Sequence, residues 1–220
     1  MQSLTHALFH LLANPDIIPA LREDIEEIVC REGWTKAALD KMWKLDSLLR
    51  ESQRFTGITV LGMLRRAMKG ITLADGTYLP EGCLFAFAGQ ATHSDSRNYD
   101  RSEQFEPFRF SDLREAGESA RYQFVNTSSE YMPFGRGKHA WCALPDVWRK
   151  QDPLADEWFQ FSPGRFFASM ELKVVLAYLI LHYDMKFEGE TAGRPANFNL
   201  SFSVIPSQDA VIQFKRRYRS

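Results

Sequence analysis

Glu51 and Arg54 stand three residues apart in a stretch with helical spacing, so a carboxylate and a guanidinium share one face. Alone, such a pair reads as a solvated surface ion pair worth little. Three further stretches change its weight. Phe105-Glu106-Pro107-Phe108-Arg109-Phe110 sets another arginine among aromatics. Pro133-Phe134-Gly135-Arg136-Gly137-Lys138-His139-Ala140 is a glycine-rich basic loop, followed closely by the thiol of Cys142. Pro163-Gly164-Arg165-Phe166-Phe167-Ala168 opens a long apolar helix, with proline where a first turn tolerates it. His6 and His10 have the i, i+4 spacing of a metal pair, but no third ligand is evident and an ordinary helix face is the simpler reading. Gly135 to Lys138 lacks the spacing and the hydroxyl residue of a phosphate loop.

The elements that must hold these residues can be read in outline. Leu4, Leu8, Leu11 and Leu12 predict a helix stopped by Asn14-Pro15. A second helical region runs from Ile17 to Cys30 and ends near Gly33. Thr35 caps a third, continuing through Leu39, Met42, Leu45, Leu48 and Leu49 to about Arg54. Ile58 to Leu64 and Cys83 to Ala91 read as strands, and Asp75-Gly76 as a hairpin turn between Ile71-Thr72-Leu73 and Thr77-Tyr78-Leu79. From Thr92 to about Ala140 periodicity is weak, yet the aromatic content predicts that the stretch packs. The tail predicts two strands, Asn197 to Ile205 and Ala210 to Phe214.

Composition bounds the function. The chain has 220 residues, with 27 Lys and Arg against 28 Asp and Glu, a net charge of −1 that excludes a strongly basic nucleic-acid binder. Three cysteines (Cys30, Cys83, Cys142) are too few for a disulfide framework, and no C-x-x-C or H-E-x-x-H appears, so structural zinc is not expected. The longest apolar run, Val174 to Leu181, is eight residues, far short of a membrane span. Without a secretory signal at Met1, the chain reads as intracellular, with reduced thiols.

Taken in order, the four stretches resemble the cytochrome P450 family, in its C-terminal half and closest to the fungal type. That resemblance implies a mainly α fold with small β-sheets (α+β). It divides the chain into a helical part over 1–55, a β-rich part over 56–91, a meander and haem loop over 92–140, an insertion over about 142–162, a long helix over about 163–182 and a C-terminal β-hairpin over 197–215. Glu51 and Arg54 match the family's E-x-x-R helix, and Arg109 the meander arginine that completes its buried network. Phe134 and Gly137 match the F-x-x-G of the haem loop. His139 and Arg65 match positions facing the haem propionates, the plainer readings being a loop histidine and a surface charge beside Arg66. Cys142 is the implied thiolate ligand of a haem b iron, whose electron donation favours O–O cleavage. The implied reaction is monooxygenation of a lipophilic small molecule, using O2 and electrons from an NADPH–cytochrome P450 reductase, in fungal secondary metabolism. Nucleic acid and metals other than haem iron have no implied part. The family's acid/alcohol-threonine motif for oxygen activation is expected upstream of Met1, so no catalytic residue is assigned within the chain. The endoplasmic-reticulum anchor of full-length members is absent from it, and Met1 reads as an internal methionine.

The haem motif departs from the family's F-x-x-G-x-x-x-C-x-G. Position 141 is Trp, Cys142 falls one residue late, and the glycine that should follow is Gly164. We read the intervening segment as a retained intron. Trp-Cys necessarily encodes a GT, and an AGY codon at Ser162 supplies the terminal AG. The excised length would be one base of codon 141, codons 142–161 and two bases of codon 162, together 63 bases and in frame. Splicing would restore a cysteine codon and the sequence Gly-Lys-His-Ala-Cys-Pro-Gly-Arg-Phe. A genuine insertion is the other reading. As written, the chain is expected to bind haem weakly, with the wrong ligation, or not at all, because ligand geometry tolerates only fractions of an ångström. The alternative to the enzyme reading is therefore an inactive, haem-free fragment.

Overall fold

A computed structural model describes residues 2–118, 121–136, 164–189 and 193–217. Helix α1 (Gln2–Ala13) turns through a 3-10 segment at Pro15–Ile17 into α2 (Ile18–Glu32). Helix α2 ends as its glycine predicts. Gly33 adopts φ 66° and its N–H bonds back to the Val29 carbonyl. Thr35 Oγ1 accepts the Ala38 N–H and caps α3 (Lys36–Lys41).

The third helical region is not continuous. Met42 leaves helical geometry at ψ 69°, and α4 (Trp43–Phe55) starts on a new axis. Leu39, Met42 and Leu45 are all buried across the break. Helix α7 (Gly164–His182) packs on α2, α3 and α4. The core joins Leu8 and Leu11 of α1, Leu21 and Ile25 of α2, Leu45, Leu48 and Leu49 of α4, and Leu176 and Ile180 of α7.

The β structure is four two-stranded antiparallel sheets among the described residues. β1 (Gly62–Arg66) pairs with β4 (Leu84–Phe87), and β2 (Ile71–Thr72) with β3 (Tyr78–Leu79) across the expected Asp75-Gly76 turn. The strand expected over Ile58 to Leu64 begins at Gly62, and residues 58–60 instead bond to the tail: Val60 N–H to Phe202 O, and Val204 N–H to Ile58 O.

The tail corrects the expected single hairpin over 197–215. Asn197 to Ile205 holds a hairpin of its own, β6 (Phe198–Leu200) with β7 (Ser203–Ile205). β8 (Ile212–Arg216) pairs with β5 (Tyr183–Phe187), which leaves α7 directly. The reason is burial. Met185, Phe187 and Ile212 pack on Phe9 and Leu12 of α1, a surface that a remote local hairpin would leave uncovered.

The weakly periodic stretch after Thr92 does pack. It follows α5 (Gly89–His93), which takes up the end of the strand expected over Cys83 to Ala91; it contains α6 (Arg109–Leu113) and a π-type turn over Arg114–Glu118, and it buries Tyr99, Phe110, Phe124, Tyr131 and Phe134. No helix among the described residues is long and apolar enough to cross a membrane.

Candidate functional site: a buried ion network beside the Phe134 turn

Every residue of α4 from Leu45 to Arg54 is buried. Its leucines meet the helical core, and its polar side meets the packed meander instead of water. The solvated reading of Glu51 and Arg54 therefore fails: both side chains are 0% exposed. Their contact is a two-pronged fork, Arg54 Nε to Glu51 Oε2 at 2.7 Å and Arg54 Nη2 to Oε1 at 2.8 Å. Arg54 spends its remaining donors on the carbonyls of His93 (2.7 Å), Ser102 (2.9 Å) and Gln104 (3.2 Å). Glu51 Oε1 also accepts the Glu106 N–H at 3.0 Å and Arg109 Nε at 3.3 Å. Arg109 in turn donates to the carbonyls of Asp100, Arg101 and Gln104 and pairs with the Glu106 carboxylate at 3.0 Å. Glu51, Arg54 and Arg109, 58 residues apart at the extremes, thus form one knot that threads α4 through the meander. Such a knot costs desolvation and is stable only when nearly every donor is used.

The knot reaches the loop that follows through His93. This ring is buried and accepts the Met132 N–H at Nε2 (3.2 Å), so its proton sits on Nδ1. Burial, then the nearby Arg54 and Arg50, push its pKa down to about 4. Two residues on, Phe134 is buried edge-on against Phe124, with ring centroids 5.3 Å apart. Arg50 lies 3.8 Å over the Tyr131 ring and 4.7 Å from that of Phe110, and donates to the carbonyls of Gln123 and Asn126.

Arg65 is half-buried in β1 and donates to the carbonyl of Leu64 at 2.9 Å. Gly137, His139 and Cys142 lie outside the described residues, as does the segment read as an insertion. The chemistry of the donor set still fits a haem: a guanidinium for a propionate, an aromatic that fixes the loop, and a thiol downstream. Haem, were it bound, would supply the redox chemistry, and these residues would be the ones to hold it. His6 and His10 are not a metal pair. His6 Nδ1 accepts from Arg194 (2.7 Å) and its Nε2 donates to the Val204 carbonyl, while His10 Nε2 contacts Thr56 Oγ1 at 2.9 Å and its ring stacks on Phe105.

Sequence reasoning missed His93, Arg50, Asp46, Arg114 and Lys173. One signal was available. Lys173 is the sole charge on the inward face of α7, in line with Ser169, Leu176 and Ile180.

A buried Glu-Arg-Arg knot that ties a core helix to a meander, with a phenylalanine-glycine loop packed beside it, matches one class of fold. The chain belongs to the cytochrome P450 family, whose sequence profile matches residues 2–142. It is 47% identical to cytochrome P450 monooxygenase 103 of Postia placenta over 216 residues, 98% of this chain and 39% of that protein. It is 38% identical to the monooxygenase CYP512U6 of Ganoderma lucidum, over 99% of this chain and 38% of the relative. An ent-kaurene oxidase of Gibberella intermedia is 34% identical over 98% of this chain and 38% of its own length. The chain thus spans about two fifths of the length of the curated relatives it matches.

Proposed function

We propose that the chain is the C-terminal, haem-holding part of a haem-thiolate monooxygenase. The parent reaction would oxidise a lipophilic small molecule with O2 and electrons from an NADPH–cytochrome P450 reductase, in fungal secondary metabolism. The observation that carries this reading is the Glu51–Arg54–Arg109 knot, with Glu51 and Arg54 fully buried, set against the Phe134 loop. It is supported by relatives that bear monooxygenase and oxidase names. In this reading Arg65 and His139 meet the propionates, Phe134 and Gly137 shape the loop, and Cys142 or its spliced equivalent donates the thiolate. Membrane attachment of the parent enzyme at the endoplasmic reticulum belongs to the same proposal.

The test is haemin titration of two proteins: the chain as written, and one in which residues 141–162 are replaced by a single cysteine. The replaced form is expected to bind one haem and give the ferrous–CO spectrum of a thiolate ligand. The chain as written is expected to bind weakly or through another ligand. Failure of both forms to bind would overturn the reading in favour of a haem-free, inactive fragment, the alternative that the one-residue displacement of Cys142 favours.

A further inference from the structure

A second buried charge knot lies one and a half turns before Glu51 on α4, and the site above does not use it. Asp46 is buried, as are the two cations that converge on it. Its Oδ1 meets Lys173 Nζ of α7, and its Oδ2 meets Arg114 Nη1 from the end of the meander helix at 3.0 Å. Oδ2 also accepts the Phe124 backbone N–H at 2.8 Å. Each cation has a further anchor. Lys173 reaches the Leu39 carbonyl of α3 at 3.5 Å, and Arg114 lies 4.7 Å from the ring of Trp43. One carboxylate therefore gathers α3, α4, α7, the meander and the turn-rich approach to Phe134.

The two partners that matter lie on opposite sides of the haem loop. Phe124 is held by its backbone at Asp46 and by its ring against Phe134, the last core residue before position 137. Lys173 belongs to the helix that begins at Gly164, where the chain returns, nine residues and about 14 Å of helix rise from its start. The chain separation between Asp46 and Lys173 is 127 residues, so no local preference makes this contact.

We propose that Asp46 is a positioning residue that ties both flanks of the haem-ligand loop to α4. It sets the distance between the Phe134 end and the α7 end, and thereby the point at which the thiolate is presented. The assignment of that loop rests on the proposed function, but the tie itself does not.

The experiment is hydrogen exchange on the full, haem-free chain, comparing the wild type with Asp46→Asn and Lys173→Met. Asp46→Asn is expected to lower protection of Phe124, of residues 132–136 and of α7 up to Lys173 by on the order of tenfold, with α1 and α2 unchanged. Lys173→Met is expected to loosen α7 alone, which keeps the test open if Asp46→Asn does not fold. Unchanged protection at both flanks, or an equal loss across α1, α2 and α7, overturns the tie. In the form with residues 141–162 replaced by cysteine, Asp46→Asn is expected to lower the thiolate-ligated fraction of the ferrous–CO spectrum at unchanged total haem. An unchanged fraction overturns the positioning role. Absence of haem from every form would instead count against the function, leaving the exchange result to decide the tie.

Discussion

At the scale of single residues, Glu51 and His93 carry the most. Glu51 neutralises Arg54, whose side chain is 0% exposed, and shares the partly buried Arg109 with Glu106, so its loss leaves the buried Arg54 without a counterion. Glu51→Gln keeps the shape and removes the charge. We expect it to destabilise the chain by about 3–5 kcal/mol, read as a shift of the urea midpoint at constant slope. His93 gives a pH signature. Its folded-state pKa, about 4, lies below the ordinary histidine value, so the unfolded chain takes up the proton first as the medium is acidified. The stability it contributes is full above the unfolded pKa and drains away as pH falls from about 6.5 to about 4, by on the order of 3 kcal/mol. His6 and His10, also lowered mainly by burial, add to the same trend. His93→Gln should therefore flatten the dependence of unfolding free energy on pH in that window. A slope equal to the wild type's would contradict the neutral, Met132-accepting ring.

At the scale of elements, what could be read in advance divides along the range of the interactions. Gly33, Thr35 and Asp75-Gly76 act on neighbours a few residues away, and each sits in the structure where its local chemistry puts it. The break at Met42 and the β5–β8 pairing answer to distant partners, the core and α1, which no window of sequence contains. Thr35 gives a clean local test. Its hydroxyl satisfies one N–H at the start of a six-residue helix, so Thr35→Ala is expected to cost about 1 kcal/mol, again read from the urea midpoint. The same division runs through the candidate site. Glu51 and Arg54 are visible as an i, i+3 pair, and the meander arginine through the family's motif order. Asp46, Arg114 and Lys173 meet only after three separate stretches have folded together.

At the scale of the whole molecule, the helical core and both charge knots are assembled from the described residues, and the segment proposed to carry the haem ligand is the one whose sequence departs from the family. This concentrates the question on the transcript. We expect the mature message to lack the 63 bases between codons 141 and 162 and to encode the restored cysteine-proline-glycine. Sequencing of a message that retains them as the sole mature form would instead make 142–162 a true insertion. Among the described residues, the Glu51 and Asp46 knots draw all their partners from outside that segment.

One property of α4 reaches beyond stability. A helix with a wet side accepts change at every third or fourth position, and that rhythm is how amphipathic helices announce themselves when substitutions are sampled over time. Between Leu45 and Arg54 no side faces water, because apolar packing closes one flank and ion pairs close the other. The record of tolerated substitutions there should be a flat, silent block. Such a block is as legible as a rhythm, and it marks a place where drift has nowhere to enter.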